Sequence, residues 1–245
     1  LQTAIHWQIL ASNPCARIKA PKSNKKERSY LDDKEAIELI NCLNHEPSQF
    51  KTMVIMLIYT GMRRGEICGL KWSDVDFNNK ILNIQRNILY LPNLGIFEDT
   101  TKTESSKRAI KVSDIVIQLL QSQKISQNKK RIKCGDQWSD NNYIFTQWNG
   151  KPIHPDSLTG WFHKFLEKHN FPEGISIHSL RHTNASLLIA NGVNLTTVSK
   201  RLGHSNTATT TQIYAHAIKT ADEMASDTLQ NISSAVFIEI GRAHV

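Results

Sequence analysis

The 245-residue chain is 40% hydrophobic, enough for one large domain, or a domain with an appendage, built round a real core. Its 30 Lys and Arg outweigh 22 Asp and Glu, giving a net charge of +8 and a pI near 9.3, which favours an anionic partner, nucleic acid first and a membrane surface second. No apolar run approaches the ~20 residues of a membrane span, no secretory leader is visible, and Cys15, Cys42, Cys68 and Cys134 have no CxxC spacing, so neither a zinc site nor a redox motif is indicated and reduced thiols of a cytoplasmic protein are expected.

In chain order, residues 1–23 begin with an apolar helical pattern (Ala4, Ile5, Trp7, Ile9, Leu10) and run into Asn13-Pro14 and Lys19-Ala20-Pro21-Lys22. The first residue is Leu rather than Met, so a fragment is expected, with 1–23 as the last helix of a preceding domain and its linker. Residues 22–28 (KSNKKER) read as a solvated tether or as a strap touching phosphates. Asp32 is placed to cap a helix carrying Ala36, Ile37, Ile40 and Leu43. Ser48 is placed to cap the next, whose Met53, Val54, Met56, Leu57 and Ile58 make it apolar nearly all round and so central and buried. Gly61 breaks that helix and Arg63 follows at the break. An arginine at the mouth of a core helix needs a partner or a ligand, and Glu66, one turn on, can hold it; Arg64 reads as its solvated neighbour.

Trp72–Phe77, Lys80–Tyr90 and Lys107–Val112 read as strands, with a tight turn at Asn78-Asn79 and Ile110 and Val112 alternating with Lys111. A long polar connection between the second and third places Lys102 on a hairpin tip. Ser113 opens a helix with Ile115, Val116, Leu119 and Leu120 that fades into the basic run Lys124–Lys133. Tyr143-Ile144-Phe145 is a brief buried extended segment. Pro155-Asp156 starts a helix with a core stripe of Leu158, Trp161, Phe162, Phe165 and Leu166, and His163 and His169 fall on its surface.

The segment His178–Tyr214 carries the residues that look chemical: His178, Arg181, His182, His204 and Tyr214. A helix with Leu187, Leu188 and Ala190 stops at Gly192; Asn194 caps another with Leu195, Val198 and Leu202, and Gly203 hands His204 to a loop. Such a set suits attack on a phosphodiester. Arginine clamps phosphate oxygens as charge builds, histidine donates or exchanges a proton, and tyrosine is a nucleophile whose pKa of about 10 demands cationic neighbours or a base. A further helix is expected from about 220 to 229. Residues 235–245 (AVFIEIGRAHV) fit nothing before them and are read as a disordered or appended tail.

Thr60-Gly-Met-Arg63-Arg-Gly-Glu66, Lys102 before a short strand, His178-Ser-Leu-Arg181-His182, Leu202-Gly-His204 and Tyr214, in that order and spacing, resemble the tyrosine recombinases, or phage integrase family, with the flavour of integrases from temperate phages and integrative mobile elements. The resemblance covers about residues 29–230. It implies a mainly α fold with a small antiparallel β-sheet (α+β), a catalytic domain over 24–234, and the remnant of a DNA core-binding domain over 1–23. It implies a site-specific recombinase that cleaves and rejoins DNA through a 3′-phosphotyrosyl intermediate to integrate or excise a mobile element. Tyr214 would be the nucleophile, Arg63 and Arg181 would hold the nonbridging oxygens, and His204 would donate to them. His178 would accept the tyrosine proton and Lys102, with Lys107 a competing candidate, would protonate the leaving 5′-oxygen. Glu66 would support Arg63, and His182 would support or pack. No cofactor and no metal are implied. The implied partners are double-stranded DNA attachment sites, further copies in a tetrameric synapse on DNA, with a monomer when free, and an accessory DNA-bending or excision factor. Two other readings stay open: a non-catalytic helix-turn-helix regulator, with Thr196, Thr197, Ser199 and Lys200 facing the groove, and a type IB topoisomerase-like DNA-relaxing enzyme.

Overall fold

A computed structural model describes residues 1–18, 30–100, 107–204, 210, 211 and 214. The expected helix at 220–229 and the tail at 235–245 lie outside these residues, as does Lys102. The described helices are α1 (Gln2–His6), α2 (Asp33–Cys42), α3 (Ser48–Thr60), α4 (Arg64–Cys68), α5 (Asp114–Cys134), α6 (Pro155–Lys168), α7 (Ile177–Ala190) and α8 (Leu195–Leu202). The strands are β1 (Val75–Asp76), β2 (Ile81–Ile84), β3 (Arg86–Leu91), β4 (Gly95–Thr100) and β5 (Arg108–Lys111). The fold is therefore mainly α with small antiparallel sheets, as expected. Among the described residues no helix is long and apolar enough to cross a membrane.

α3 is the central element because its sequence allows nothing else. Met53 to Ile58 are all buried, against α5 on one side and α7 on the other. α2 adds Ala36 and Leu39 to the same core and is closed at its start by a reciprocal capping box in which Asp32 accepts from the Glu35 N–H and Glu35 from the Asp32 N–H. Ser48 does not cap α3: it is the helix's first residue, Pro47 holds the cap position, and no side-chain cap bond forms. Of the stripe expected on α6, Leu158, Phe162, Phe165 and Leu166 are buried and Trp161 is half-buried at its edge.

β1, β2 and β5 form a three-stranded antiparallel sheet in the order β1-β2-β5, with Leu82 opposite both Val75 and Ile110. The long strand expected over Lys80–Tyr90 is two strands, broken at Gln85. β3 turns back through Pro92–Leu94 onto β4, which lies in the stretch expected to be a polar connection, and pairs with it from Arg86↔Thr100 to Leu91↔Gly95. Leu89, Tyr90, Leu91 and Leu94 on this hairpin are exposed, so its residues show no clean alternation of apolar and polar. α5 also outlasts its apolar pattern. Gln123 and Gln127 occupy buried positions and donate to the carbonyls of Tyr143 and Ile144, so polar side chains do there what leucines would do elsewhere.

Candidate active site

The site is assembled around the C-terminus of α3. The last carbonyls of a helix have no partner within it and carry the negative end of its dipole. Here the Leu57 carbonyl takes the Gly61 N–H, while side chains from later in the chain reach three others at this end. Asn184 donates to Ile58 O at 2.7 Å, Arg201 to Tyr59 O at 2.9 Å and Arg181 to Gly61 O at 2.6 Å. The break that Gly61 makes is left-handed, at φ 64 and ψ 20, and a Cβ there would lie 2.5 Å from Leu202 Cδ2 and 2.8 Å from Asn184 Oδ1. Glycine is thus required twice over, for the turn and for the close approach of α7 and α8.

Arg63 follows Met62 and holds the N-cap position of α4. Glu66 accepts its backbone N–H on one oxygen and its guanidinium on the other, each at 2.8 Å, as the one-turn spacing suggested. The same carboxylate also takes Arg108 from β5, at 3.0 Å on Oε1 and 2.8 Å on Oε2. Burial would raise the Glu66 carboxyl, but the hydrogen bonds and charge of Arg108, with those of Arg63, bring it down to about 2. Arg63 reaches the Gly203 carbonyl at 3.3 Å, and its side chain remains 42% exposed. Arg64 bonds Asp156 and Thr159 and, with Thr159, lines the neighbouring cleft.

Arg181 is buried, and among the described residues its second terminal nitrogen (Nη2) has no hydrogen-bond partner. A buried guanidinium donor left open is costly unless a ligand completes it. Burial and then the charge of Arg63 draw Arg181 down to about 10, which leaves it a cation at neutral pH. His204, handed over by the left-handed Gly203, sets Nδ1 2.9 Å from Thr210 Oγ1. Burial first, then Arg181, Arg63, Arg108 and His178, depress it to about 4, so it is neutral at pH 7. Tyr214 is buried, and its hydroxyl sits 2.8 Å from His182 Nδ1. His178, named from sequence as the proton acceptor, is exposed and packs edge-on against the His182 ring at 4.7 Å between centroids. An open cleft of ≈ 370 Å³ lined by Met62, Arg63, Thr159, Ile177 and His178 adjoins them.

Arg63, Arg181, His204, His178, Glu66, His182 and Tyr214 therefore converge on one cationic pocket, in which Arg181 feels both Arg63 and Tyr214. Lys107 is described and exposed at the start of β5. Sequence reading missed Arg108. The signal was present: residues 108, 110 and 112 share one face of a strand, so Arg108 is a cation on the inward-facing row of Ile110 and Val112. A pocket with convergent arginines, a neutral imidazole and a phenol suits a singly charged, tetrahedral oxyanion such as a phosphodiester.

A family model described as the phage integrase family matches residues 29–220. The chain belongs to that family. Among curated relatives, a protein named tyrosine recombinase XerC-like from Caldanaerobacter subterraneus subsp. tengcongensis is 30% identical, covering 94% of this chain and 62% of its own length. The ICEBs1 integrase of Bacillus subtilis is 29% identical with the same coverage, 94% and 62%. This phage integrase family chain thus spans about three-fifths of the length of the curated relatives it matches. Among solved structures, the Tn1549 transposon integrase in complex with circular intermediate DNA has a TM-score of 0.76 at 22% identity, covering 93% of this chain and 76% of that one. At that identity the likeness shows the fold.

Proposed function

We propose that residues 24–234 are the catalytic domain of a site-specific DNA recombinase, an integrase of a phage or integrative mobile element, with residues 1–23 the end of a DNA core-binding domain and 235–245 a tail. The observation that carries this reading is the gathering of Arg63, Arg181, His204 and Tyr214 at one cationic pocket in which, among the described residues, Arg181 Nη2 has no hydrogen-bond partner. Tyr214 Oη attacks the scissile phosphorus, forming the 3′-phosphotyrosyl bond as the bond to the 5′-oxygen breaks. Arg63 and Arg181 hold the nonbridging oxygens and His204 donates to them; Glu66 fixes Arg63. Lys102 gives its proton to the 5′-oxygen. The phenolic proton goes to His178, or to His182, which the 2.8 Å contact with the docked hydroxyl favours. The phosphate ester keeps the bond energy, so a 5′-hydroxyl from a partner duplex reverses the step without a cofactor.

The partners that follow are double-stranded attachment sites, other copies of the chain in a tetrameric synapse on DNA, and an accessory DNA-bending or excision factor; the free protein is monomeric and cytoplasmic. Related complexes with transposon and circular intermediate DNA support the choice of duplex DNA. The test is a nicked suicide substrate carrying an attachment site. The unaltered chain is expected to form a covalent adduct, and Tyr214→Phe to bind DNA and form none. An adduct with Tyr214→Phe removes the nucleophile assignment. DNA binding with no adduct from the unaltered chain favours the helix-turn-helix regulator, and relaxation of supercoils without strand exchange between two sites favours the topoisomerase-like reading.

A further inference from the structure

Arg108 belongs to none of the roles above, yet its side chain is only 7% exposed and is shared among the parts of the site. Two of its nitrogens grip the two oxygens of Glu66, and its Nε donates to the Arg201 carbonyl at 2.7 Å, at the end of α8. Arg201 returns the connection by donating to the Lys111 carbonyl of β5 at 3.2 Å. Glu66 in turn holds Arg63, and Arg63 reaches Gly203, the residue before His204. One guanidinium therefore joins the strand that follows the Lys102 loop, the carboxylate that orients Arg63, and the helix end that presents His204.

We propose that Arg108 is a positioning residue for DNA cleavage, acting through the shared Glu66 carboxylate to set both the place and the net charge of Arg63. The charge follows from counting. Glu66 alone would neutralise Arg63 as an ion pair; with Arg108 on the same carboxylate, two cations face one anion, and a positive charge is left for the phosphate. The place follows from geometry. A planar fork spanning both carboxylate oxygens fixes the Glu66 rotamer, and a lysine ammonium, a single point donor, cannot span them and also reach Arg201 O. Because Arg108 is almost wholly covered, it does this without touching DNA.

The inference rests on the cleavage reading given above, and the experiment separates the two. Single-turnover cleavage of the nicked substrate is measured for the unaltered chain, Arg108→Ala, Arg108→Lys, Arg63→Ala and the double variant Arg63→Ala with Arg108→Ala, alongside DNA affinity and melting temperature. Arg108→Ala is expected to slow cleavage roughly 10- to 100-fold while DNA affinity stays within about a factor of three. Arg108→Lys should recover part of that loss. The double variant should cleave no more slowly than Arg63→Ala alone, because Arg108 acts through Arg63. An unaltered rate in Arg108→Ala or Arg108→Lys, or losses that multiply in the double variant, overturn the proposal. So does a fall in DNA binding and melting temperature in both single Arg108 variants, which would make the role purely structural. If the unaltered chain forms no adduct, both readings fall; if it forms one and the Arg108 variants match it, only this one does.

Discussion

A histidine set among arginines has little reason to hold a second proton. His204 illustrates this, with burial first and then Arg181, Arg63, Arg108 and His178 taking it from 6.5 to about 4. The unfolded chain binds that proton near 6.5 and the folded chain only near 4, so acidification through this window favours unfolding, and the loss levels off below it. Stability measured from pH 7 to 4 is therefore expected to fall less steeply in His204→Asn than in the unaltered chain. An NMR titration of His204 without DNA should have its midpoint near 4; a midpoint near 6.5 would refute its burial beside these cations. Glu66 adds a separate loss lower down. Its folded carboxyl titrates near 2 rather than 4.5, so the stability it contributes is present above 4.5 and disappears as pH falls towards 2. At this scale Arg63, Glu66, Arg181, His204 and Tyr214 could be picked out from residue chemistry and spacing. The Tyr214–His182 contact could not, because a one-turn pair such as His178 and His182 offers two imidazoles on the same helix face and spacing alone does not choose between them.

The turn after α3 decides how closely the elements of the site can approach. Gly61→Ala must take a left-handed backbone and push its Cβ against Leu202 and Asn184, for a combined cost of about 2–4 kcal/mol. Gly95, the first residue of β4, has φ +69 but nothing within 4 Å of a built Cβ, so Gly95→Ala should cost only the backbone strain, about 1 kcal/mol. Urea unfolding of the two variants tests this, and equal losses would argue against the tight packing of α7 and α8 on the α3 terminus. The helices were legible where their buried face is apolar, as on α3 and α6. The end of α5 and the β3–β4 hairpin were not. In the first, buried glutamines bonded to backbone carbonyls stand where apolar residues mark a core face; in the second, leucines and a tyrosine point outwards.

For the molecule as a whole, the proposed function and the net charge of +8 make the expected DNA affinity a matter of phosphate neutralisation. The logarithm of affinity is expected to fall linearly with the logarithm of salt, with a slope of about −0.9 for each phosphate contacted. A salt-independent affinity in a filter or anisotropy titration would contradict a basic DNA-facing surface. What could be read without coordinates was whatever depends on neighbours in the chain: the apolar faces of α3 and α6, the cap at Asp32, the break at Gly61, and the ordered set of arginines, histidines and tyrosine that carried the family resemblance. Helical and strand periods impose those patterns over a few residues. The tertiary structure decided which distant groups meet. The carbonyls at the end of α3 had to be satisfied from outside, and it was α7 and α8 that brought Arg181, Asn184 and Arg201 to them, and β5 that brought Arg108 to Glu66. No local period encodes that demand, because a buried carbonyl or carboxylate fixes only the kind of partner it needs, and packing selects the partner.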